Sequence, residues 1–223
     1  MRAALADHGG AGGGPCRGRS HTQRELWKTD KARYKGLYFD NRAELRVSNS
    51  GQEYGKVVAD ALEKGVDTGD LLTDSATLLL PKYDTADQLI EVDVKTKDGW
   101  LCLVAKPDTL DSRTFAFREY KTGKGEWTLA KAIAHPQMIF YAVVIWQKYG
   151  VMLDKAHLDW IETEWVKPDN ESVARIRPTG RVESFEVPFT PVQHYETLAD
   201  MIKVAKEVEL AWASHVTSDK PIF

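Results

Sequence analysis

Apolar residues follow a helical period in some parts of the chain and a two-residue period in others. The helical spacing predicts helices over about Gln52–Lys64, residues 70–80, Pro136–Tyr149 and from Thr190 to about Ala213. Alternation of apolar and polar residues predicts strands over Leu89–Lys95, Trp100–Lys106, Thr114–Lys121, Ala156–Val166 and Arg181–Val187. The order of helix, three strands, helix, strands and helix predicts an α/β (α+β) fold, with a central mixed sheet flanked by helices.

Turn and cap residues support several of these boundaries. Lys97-Asp98-Gly99 joins the first two strands as a hairpin. Pro136 suits the first turn of its helix, and Gly150 lies just past the end of that helix. Thr190 with Gln193 three residues later is typical of a capped helix start.

The N-terminal part of the chain has no such pattern. Residues 1–22 are rich in glycine, and we expect a disordered tail because a glycine run cannot offset the entropy lost on ordering. Gln23–Ser50 mixes charged and aromatic residues without a period, which predicts an irregular entry segment. We therefore expect a single domain over residues 23–223.

Composition narrows the class of protein. Of the 223 residues 43% are hydrophobic, enough for a core, and the formal charge of −3 gives no global sign of nucleic-acid binding. The isolated cysteines Cys16 and Cys102 exclude a cysteine metal site built from this chain alone and fit a reducing compartment. No stretch approaches the roughly 20 apolar residues of a membrane-spanning helix and no secretory signal is present, so we expect a cytoplasmic protein.

Two carboxylates and an ammonium lie across two neighbouring predicted strands. Asp108 follows the second strand, and alternation puts Glu119 and Lys121 on the face of the third strand that begins with Phe115 and Phe117. Charged groups at a core-facing strand end are costly unless they are paired or bind a metal. Asp108 and Glu119 would supply oxygen ligands to Mg²⁺ or Mn²⁺, and Lys121 would lie beside the attacking water or the scissile phosphate. This chemistry predicts phosphodiester hydrolysis.

Two similar patterns elsewhere in the chain serve as controls. Asp93-Val94-Lys95 shares a wholly polar strand face with Glu91, as expected of a solvated strand. Pro168-Asp169 lies in a predicted loop, and no acid-x-Lys triplet on a strand follows it. Only the set from Asp108 to Lys121 combines an apolar face, a hairpin and a suitable following helix.

That helix carries an amide and a phenol. Gln137 and Tyr141 lie one turn apart on the same face, and Phe140, Val143 and Ile145 make the rest of the helix apolar. A buried amide and phenol need hydrogen-bond partners, which a site at the strand ends would provide.

The run Phe117-Arg118-Glu119-Tyr120-Lys121-Thr122-Gly123-Lys124, followed by Gln137-x-x-x-Tyr141, resembles the PD-(D/E)xK nuclease superfamily. It is most similar to the RecB-like, phage-type exonuclease branch. The resemblance covers roughly residues 50 to 165, and it implies a metal-dependent deoxyribonuclease on a restriction-endonuclease-like αβββαβ core. On that pattern Asp108, Glu119 and the backbone of Tyr120 would bind Mg²⁺ or Mn²⁺, and Lys121 would be catalytic. Gln137 and Tyr141 would contact DNA or support the metal ligands.

The family also places an acidic residue, and often a histidine, on the helix before the hairpin. Glu53 is our first choice for this carboxylate, with Glu63 as the alternative. The histidine has no counterpart here, because Ala59 stands at its position counted from Gly55.

The segment between the third strand and the Gln137 helix holds further candidates for DNA contact. His135 is either a cap residue or a contact to phosphate or to the metal region. Lys124 and Lys131 are either solvated or bound to phosphate, and Trp127 either packs on the sheet edge or stacks on a base.

Two main hypotheses follow for the function. The first is a Mg²⁺- or Mn²⁺-dependent DNA exonuclease of recombination, repair or replication, in a bacterium or a phage-infected cell, with endonuclease action left open. Its expected partner is DNA, together with a recombination or helicase protein or a second copy of the chain, and no membrane. The second hypothesis is a nucleic-acid-binding module with a weak or inactive site on the same fold. A third is an unrelated metal-binding or interaction protein.

Overall fold

A computed structural model describes residues 20–40, 50–64, 67–86, 88–167 and 175–218. Within these residues seven helices and seven strands follow one another along the chain. The helices are α1 (His21–Thr29), α2 (Lys31–Tyr38), α3 (Ser50–Lys64), α4 (Leu71–Leu78), α5 (Leu129–Ile133), α6 (Pro136–Tyr149) and α7 (Pro191–Ser218). The strands are β1 (Thr85–Ala86), β2 (Ile90–Thr96), β3 (Gly99–Ala105), β4 (Thr109–Leu110), β5 (Phe117–Gly123), β6 (Lys155–Val166) and β7 (Arg175–Pro188).

Five of the strands form a mixed sheet in the order β1-β4-β5-β6-β7. β5 and β6 run parallel, whereas β4 and β7 run antiparallel to their neighbours. α6 packs on one face of the sheet, where Phe140 and Phe117 belong to the main core. α3 and α4 cover the other face, where Val58 and Tyr120 share a second cluster. The predicted α/β fold, with a central mixed sheet flanked by helices, is confirmed.

The predicted hairpin forms as a separate two-stranded sheet. β2 and β3 pair antiparallel, with Thr96 opposite Gly99 at the turn. The chain leaves this sheet at Pro107, which has no backbone N–H to continue a ladder. β4 then pairs with β1 and β5. The strand before Asp108 is therefore divided in two, and only its second part joins the central sheet.

The third predicted strand begins later than expected. It starts at Phe117 rather than Thr114, because residues 111–116 form a turn in which Asp111 Oδ1 accepts the backbone N–H of Thr114 at 2.7 Å. Phe115 has a φ of 60° in this turn and stacks on Tyr149, with ring centroids 4.1 Å apart. The expectation that Phe115 belongs to the strand is wrong, although its ring still packs against the core.

Local signals located the later helices well. α6 begins at Pro136, and Gly150 follows it in the left-handed conformation, with φ of 74° and its N–H donated to Trp146 O at 2.8 Å. Before α7, Thr190 Oγ1 accepts the Gln193 N–H at 3.2 Å and the Gln193 side chain accepts the Thr190 N–H at 2.8 Å. α7 continues beyond the predicted end, and β7 begins before the predicted strand. Pro168-Asp169 lies outside the described residues.

The segment predicted to be irregular is largely helical. α1 and α2 occupy it up to Tyr38, and Ser20 caps α1 through a reciprocal pair of hydrogen bonds with Gln23. Trp27 and Tyr34 are buried in a cluster with residues of α7. The prediction failed because these helices bury few apolar residues each and draw their partners from the far end of the chain. Ser20 to Thr22, which we assigned to the tail, belong to α1 and its cap; the rest of that tail lies outside the described residues.

Within the described part of the chain, no helix is long and apolar enough to cross a membrane.

Candidate active site

Strand β5 distributes its side chains to the two faces of the sheet. Phe117 and Glu119 lie on the α6 side, where they are 0% and 4% exposed, and Lys121 follows on the same side, partly buried. Glu119 is thus a carboxylate at the depth of the core, where an ionised group needs partners. The site is built on this face.

Asp108 lies between β3 and β4, directly beside β5. Its Oδ2 accepts the backbone N–H of Tyr120 at 2.5 Å. The backbone N–H of Asp108 lies close enough to the Glu119 carboxylate to lower the pKa of that group slightly. The two carboxylates predicted to share a site are therefore neighbours, held together by the backbone of both segments.

Gln137, at the start of α6, connects the charged groups. Its Nε2 donates to Glu119 Oε1 at 2.7 Å and to the Tyr141 hydroxyl at 2.8 Å. Its Oε1 accepts from Lys121 Nζ at 2.9 Å, and Lys121 Nζ also donates to Glu119 Oε1 at 2.6 Å. All polar atoms of the Gln137 amide are engaged, so the network holds Glu119 and Lys121 in one orientation.

The second carboxylate oxygen of Glu119 is the exception in this network. Glu119 Oε2 is buried and has no hydrogen-bond partner among the described residues. Burial raises the pKa of Glu119, although Lys121 and Gln137 act in the opposite direction. A buried carboxylate oxygen without a partner costs free energy, and a divalent cation would supply the missing partner.

The residues present fit a magnesium-type ion. Asp108 and Glu119 are hard oxygen ligands, and the residue after Glu119, Tyr120, can add its backbone carbonyl. Within the described ranges no group of three His, Cys, Asp or Glu side chains could hold a metal. An ion here would be held by two carboxylates, with water and substrate oxygens completing its coordination, as is common for Mg²⁺.

The side chain of Tyr120 points away from this site. Its hydroxyl donates to Pro81 O at 2.8 Å and lies 3.3 Å from Thr109 Oγ1, and burial raises the pKa of Tyr120 to about 12. Only the backbone of Tyr120 can serve the predicted metal site.

Glu53 does not join the two carboxylates. α3 packs on the opposite face of β5, where a Cβ added at Gly55 would lie 3.1 Å from Thr122 Oγ1. Glu53 is two residues from Gly55, a rotation of about 200° around the helix, and its side chain is exposed. The expected third carboxylate is therefore absent from the cluster formed by the described residues. The side chain of Glu63 lies outside them.

His135 is the N-cap residue of α6, two residues before Gln137. Its side chain does not cap the helix, and its Nδ1 is buried without a hydrogen-bond partner in the described structure. Burial, and then the charges of Lys121 and Lys131, lower the pKa of His135 to about 4. Lys131 Nζ lies 4.4 Å from the centroid of Trp127, whose ring is 5.6 Å from that of His135. Lys124 is exposed in the loop after β5.

Sequence reasoning missed two residues near the site. Arg118 is 6% exposed and forms a buried ion pair with Asp159 on β6, on the face opposite Glu119. The available signal was a basic residue two positions before Tyr120, in a strand covered on both faces, where a charge needs a buried counter-charge. His21, which we placed in the tail, lies on the α6 side, and no local pattern pointed to it.

No protein-family model matches the chain, and no curated protein matches it in sequence. Two solved structures are similar in shape. The crystal structure of SSO0001 has a TM-score of 0.45 and 12% identity, covering 90% of this chain and 73% of that one. A protein named "putative exonuclease" from Eubacterium rectale has a TM-score of 0.43 and 11% identity, covering 78% of this chain and 74% of that one. At these TM-scores neither similarity carries an inference about function.

Proposed function

We propose that this chain is a divalent-metal-dependent deoxyribonuclease that hydrolyses phosphodiester bonds with Mg²⁺ or Mn²⁺. One observation carries the proposal. Glu119 is buried in the core with Oε1 held by Lys121 and Gln137, whereas Oε2 accepts no hydrogen bond from a side chain in the described structure. A purely structural carboxylate at this depth would be expected to have both oxygens satisfied.

Asp108 and Glu119 would hold the ion, with the Tyr120 carbonyl as a third oxygen. Once bound, such an ion makes a coordinated water more acidic and offsets the charge that develops on a phosphate. The protein's own contribution is to fix both carboxylates, through Tyr120 N–H and the Gln137 amide, before substrate arrives.

Lys121 would act on the water or on the phosphate. An ammonium has three N–H donors, and Lys121 uses two of them, on Glu119 and Gln137. Its remaining donor can orient the attacking water or bind a non-bridging phosphate oxygen. Because the two fixed hydrogen bonds hold Nζ near Glu119, the lysine would act at the position where the metal is expected.

The proposed substrate is DNA, and the proposed action is exonucleolytic, as in the family that the motif resembles. His135, Lys131 and Trp127 form a polar and aromatic edge beside the site, and Lys124 is exposed next to it. Cationic and aromatic side chains together are typical of single-stranded nucleic-acid contact. Gln137 and Tyr141 would support the carboxylates rather than contact DNA, because each is engaged inside the network.

The test compares wild type with Glu119→Ala on linear, nicked and circular DNA in Mg²⁺, Mn²⁺ or EDTA. We expect metal-dependent degradation of linear DNA by wild type and none by the variant. Asp93→Ala is the matched control, because Asp93 and Lys95 form the same acid-x-Lys triplet on the exposed face of β2. Equal loss in both variants, or cleavage that persists in EDTA, would contradict the proposed site. Cleavage of circular DNA would identify an endonuclease.

A second candidate function is a nucleic-acid-binding module with an inactive site. It is favoured by the position of Glu53, which leaves two carboxylates in the described cluster. This candidate predicts DNA binding by both wild type and Glu119→Ala, without cleavage in any metal.

A further inference from the structure

A histidine outside the predicted motif lies at the same site. His21 is the first residue of α1, and Ser20 before it forms a parallel bridge with Val104 on β3, the strand that leads to Asp108. The ring of His21 meets Phe140 edge-on, with centroids 5.7 Å apart. Phe140 is one helical turn from Gln137, so His21 lies over the start of α6.

The helix that carries His21 is held firmly against the rest of the domain. Arg24 is 8% exposed, and its Nε donates to Asp200 Oδ2 on α7 at 2.7 Å. Trp27 Nε1 donates to Glu207 Oε2 at 3.1 Å, about one turn further along α1 and two turns further along α7. Because these contacts lie within two turns of His21, they hold the start of α1 in place.

Two imidazole nitrogens at this place lack partners. His21 Nε2 and His135 Nδ1 are both buried and have no hydrogen-bond partner among the described residues. Buried polar atoms are normally satisfied by protein, water or ligand, so two orphaned nitrogens beside one site are available to bond to a ligand.

The surrounding charges favour an anion over a second metal ion. Burial, followed by the electrostatic effects of His135, Arg24 and Lys121, lowers the pKa of His21 to about 4. Arg24 and Lys121 would repel a cation, and in the described part of the chain no three His, Cys, Asp or Glu side chains form a metal group. A neutral imidazole protonated on the buried nitrogen donates one hydrogen bond, which suits a phosphate oxygen.

We propose that His21 Nε2 and His135 Nδ1 bind a non-bridging oxygen of the substrate phosphate next to the scissile one. This inference rests on the proposed nuclease function and assigns α1, which lies outside the predicted αβββαβ core, to the binding of the DNA strand. Lys121 and the carboxylates serve the scissile phosphate, and the two histidines hold its neighbour, which sets the register of the strand in the site.

The test is His21→Phe, which keeps an aromatic ring against Phe140 but removes both ring nitrogens, with His157→Phe as the matched control. His157 is also a half-buried histidine with a buried Nδ1 that lacks a partner, but it pairs in register with Arg118 on β5, away from α6. Affinity is measured in EDTA by fluorescence anisotropy, on DNA that carries one neutral methylphosphonate at each position around the cut site in turn. Cleavage is measured with Mn²⁺ on the same set.

We expect His21→Phe to weaken DNA binding and raise KM on the order of 10-fold, as for loss of a hydrogen bond to a charged group, with kcat nearly unchanged. One particular methylphosphonate should weaken wild type by a similar factor, and on that DNA the variant should lose nothing more. His157→Phe should behave as wild type.

Three results would overturn the proposal: an unchanged affinity in His21→Phe, a loss confined to kcat, or the same loss on every methylphosphonate DNA. If His21→Phe does not fold, ¹⁵N spectra of histidine-labelled wild type decide the question, because Nε2 of His21 must shift when a DNA hexamer is added. If wild type binds DNA without cutting it, the proposed nuclease function fails, but the binding measurements still test whether His21 contacts the DNA. Wild type that neither binds nor cuts overturns both.

Discussion

Removing Asp159 should destabilise the protein more than any surface change, because it leaves the Arg118 guanidinium buried without its counter-charge. Arg118 Nε and Nη2 donate to the two carboxylate oxygens of Asp159 at 2.7 and 2.8 Å, and Nη2 also donates to Ser184 Oγ at 2.8 Å. The two side chains are 8% and 0% exposed. Breaking a buried pair of this kind costs about 3–5 kcal/mol, a large part of the roughly 5–15 kcal/mol that stabilises a typical protein.

A double-mutant cycle compares the single variants Arg118→Met and Asp159→Leu with the double variant Arg118→Met/Asp159→Leu. Replacing both charges by apolar side chains of similar volume removes the desolvation cost together with the attraction, so this variant should lie within about 2 kcal/mol of wild type. Urea unfolding followed by tryptophan fluorescence gives the free energies. In thermal unfolding Asp159→Ala should lower Tm by about 6–20 °C, from 2–4 °C per kcal/mol for a chain of this length.

A cost below about 1 kcal/mol for Asp159→Ala would refute this prediction, and so would simple addition of the losses of Arg118→Met and Asp159→Leu in the double variant. Lys155→Ala supplies the control. Lys155 and Glu186 form an ion pair across the neighbouring strands at 2.9 Å, but their side chains are 50% and 55% exposed. Solvent screens such a pair, and we expect no measurable loss of stability.

Three further outcomes test other parts of the structure. Burial raises the pKa of Glu119 above its ordinary value of 4.5, so the folded protein holds this proton more tightly than the unfolded chain and loses stability as the pH rises through the folded pKa. In EDTA, Glu119→Gln should therefore resist urea better than wild type at pH 8, and the difference should shrink as the pH falls to 4.5. Gln137→Ala should lower kcat about 10- to 100-fold with little change in DNA affinity, because it releases Glu119 and Lys121; an unchanged kcat in single-turnover kinetics would contradict this. Gly150→Ala should cost about 1 kcal/mol in urea unfolding, because φ is 74° and no neighbour lies within 4 Å of the added Cβ; a neutral result would exclude backbone strain as the reason for glycine.

Much of the fold could be predicted because its signals are local. Pro136 begins α6 and Gly150 ends it, and both act on the backbone of that helix alone. Thr190 and Gln193 mark the start of α7 in the same way. The polar turn before Gly99 located the hairpin in the same way. Each of these signals acts within four residues, so no knowledge of the tertiary structure was needed to read them.

The candidate site was predictable in part for the same reason. The period of β5 places Glu119 and Lys121 on one face, and the helical period places Gln137 and Tyr141 one turn apart. That Gln137 joins Glu119 to Lys121 and Tyr141 depends on α6 crossing that face at its first turn. The sequence shows which groups need partners, and the packing of α6 selects them.

Other features were decided only by tertiary contacts between distant segments. Ser20 with Gln23 is a local start signal for α1 that was not recognised, but the position of α1 depends on Arg24 with Asp200 and Trp27 with Glu207, on a helix near the other end of the chain. The family resemblance placed Glu53 at the site. However, α3 packs on the face of β5 opposite Glu119, so Glu53 lies away from Asp108 and Glu119. His21 lies beside the same site although no local pattern marks it. Hydrophobic period and cap chemistry determine where each element begins and which face it buries, because both depend on neighbours along the chain. Which element covers that face, and therefore which charged groups meet, depends on burial and pairing summed over the whole fold.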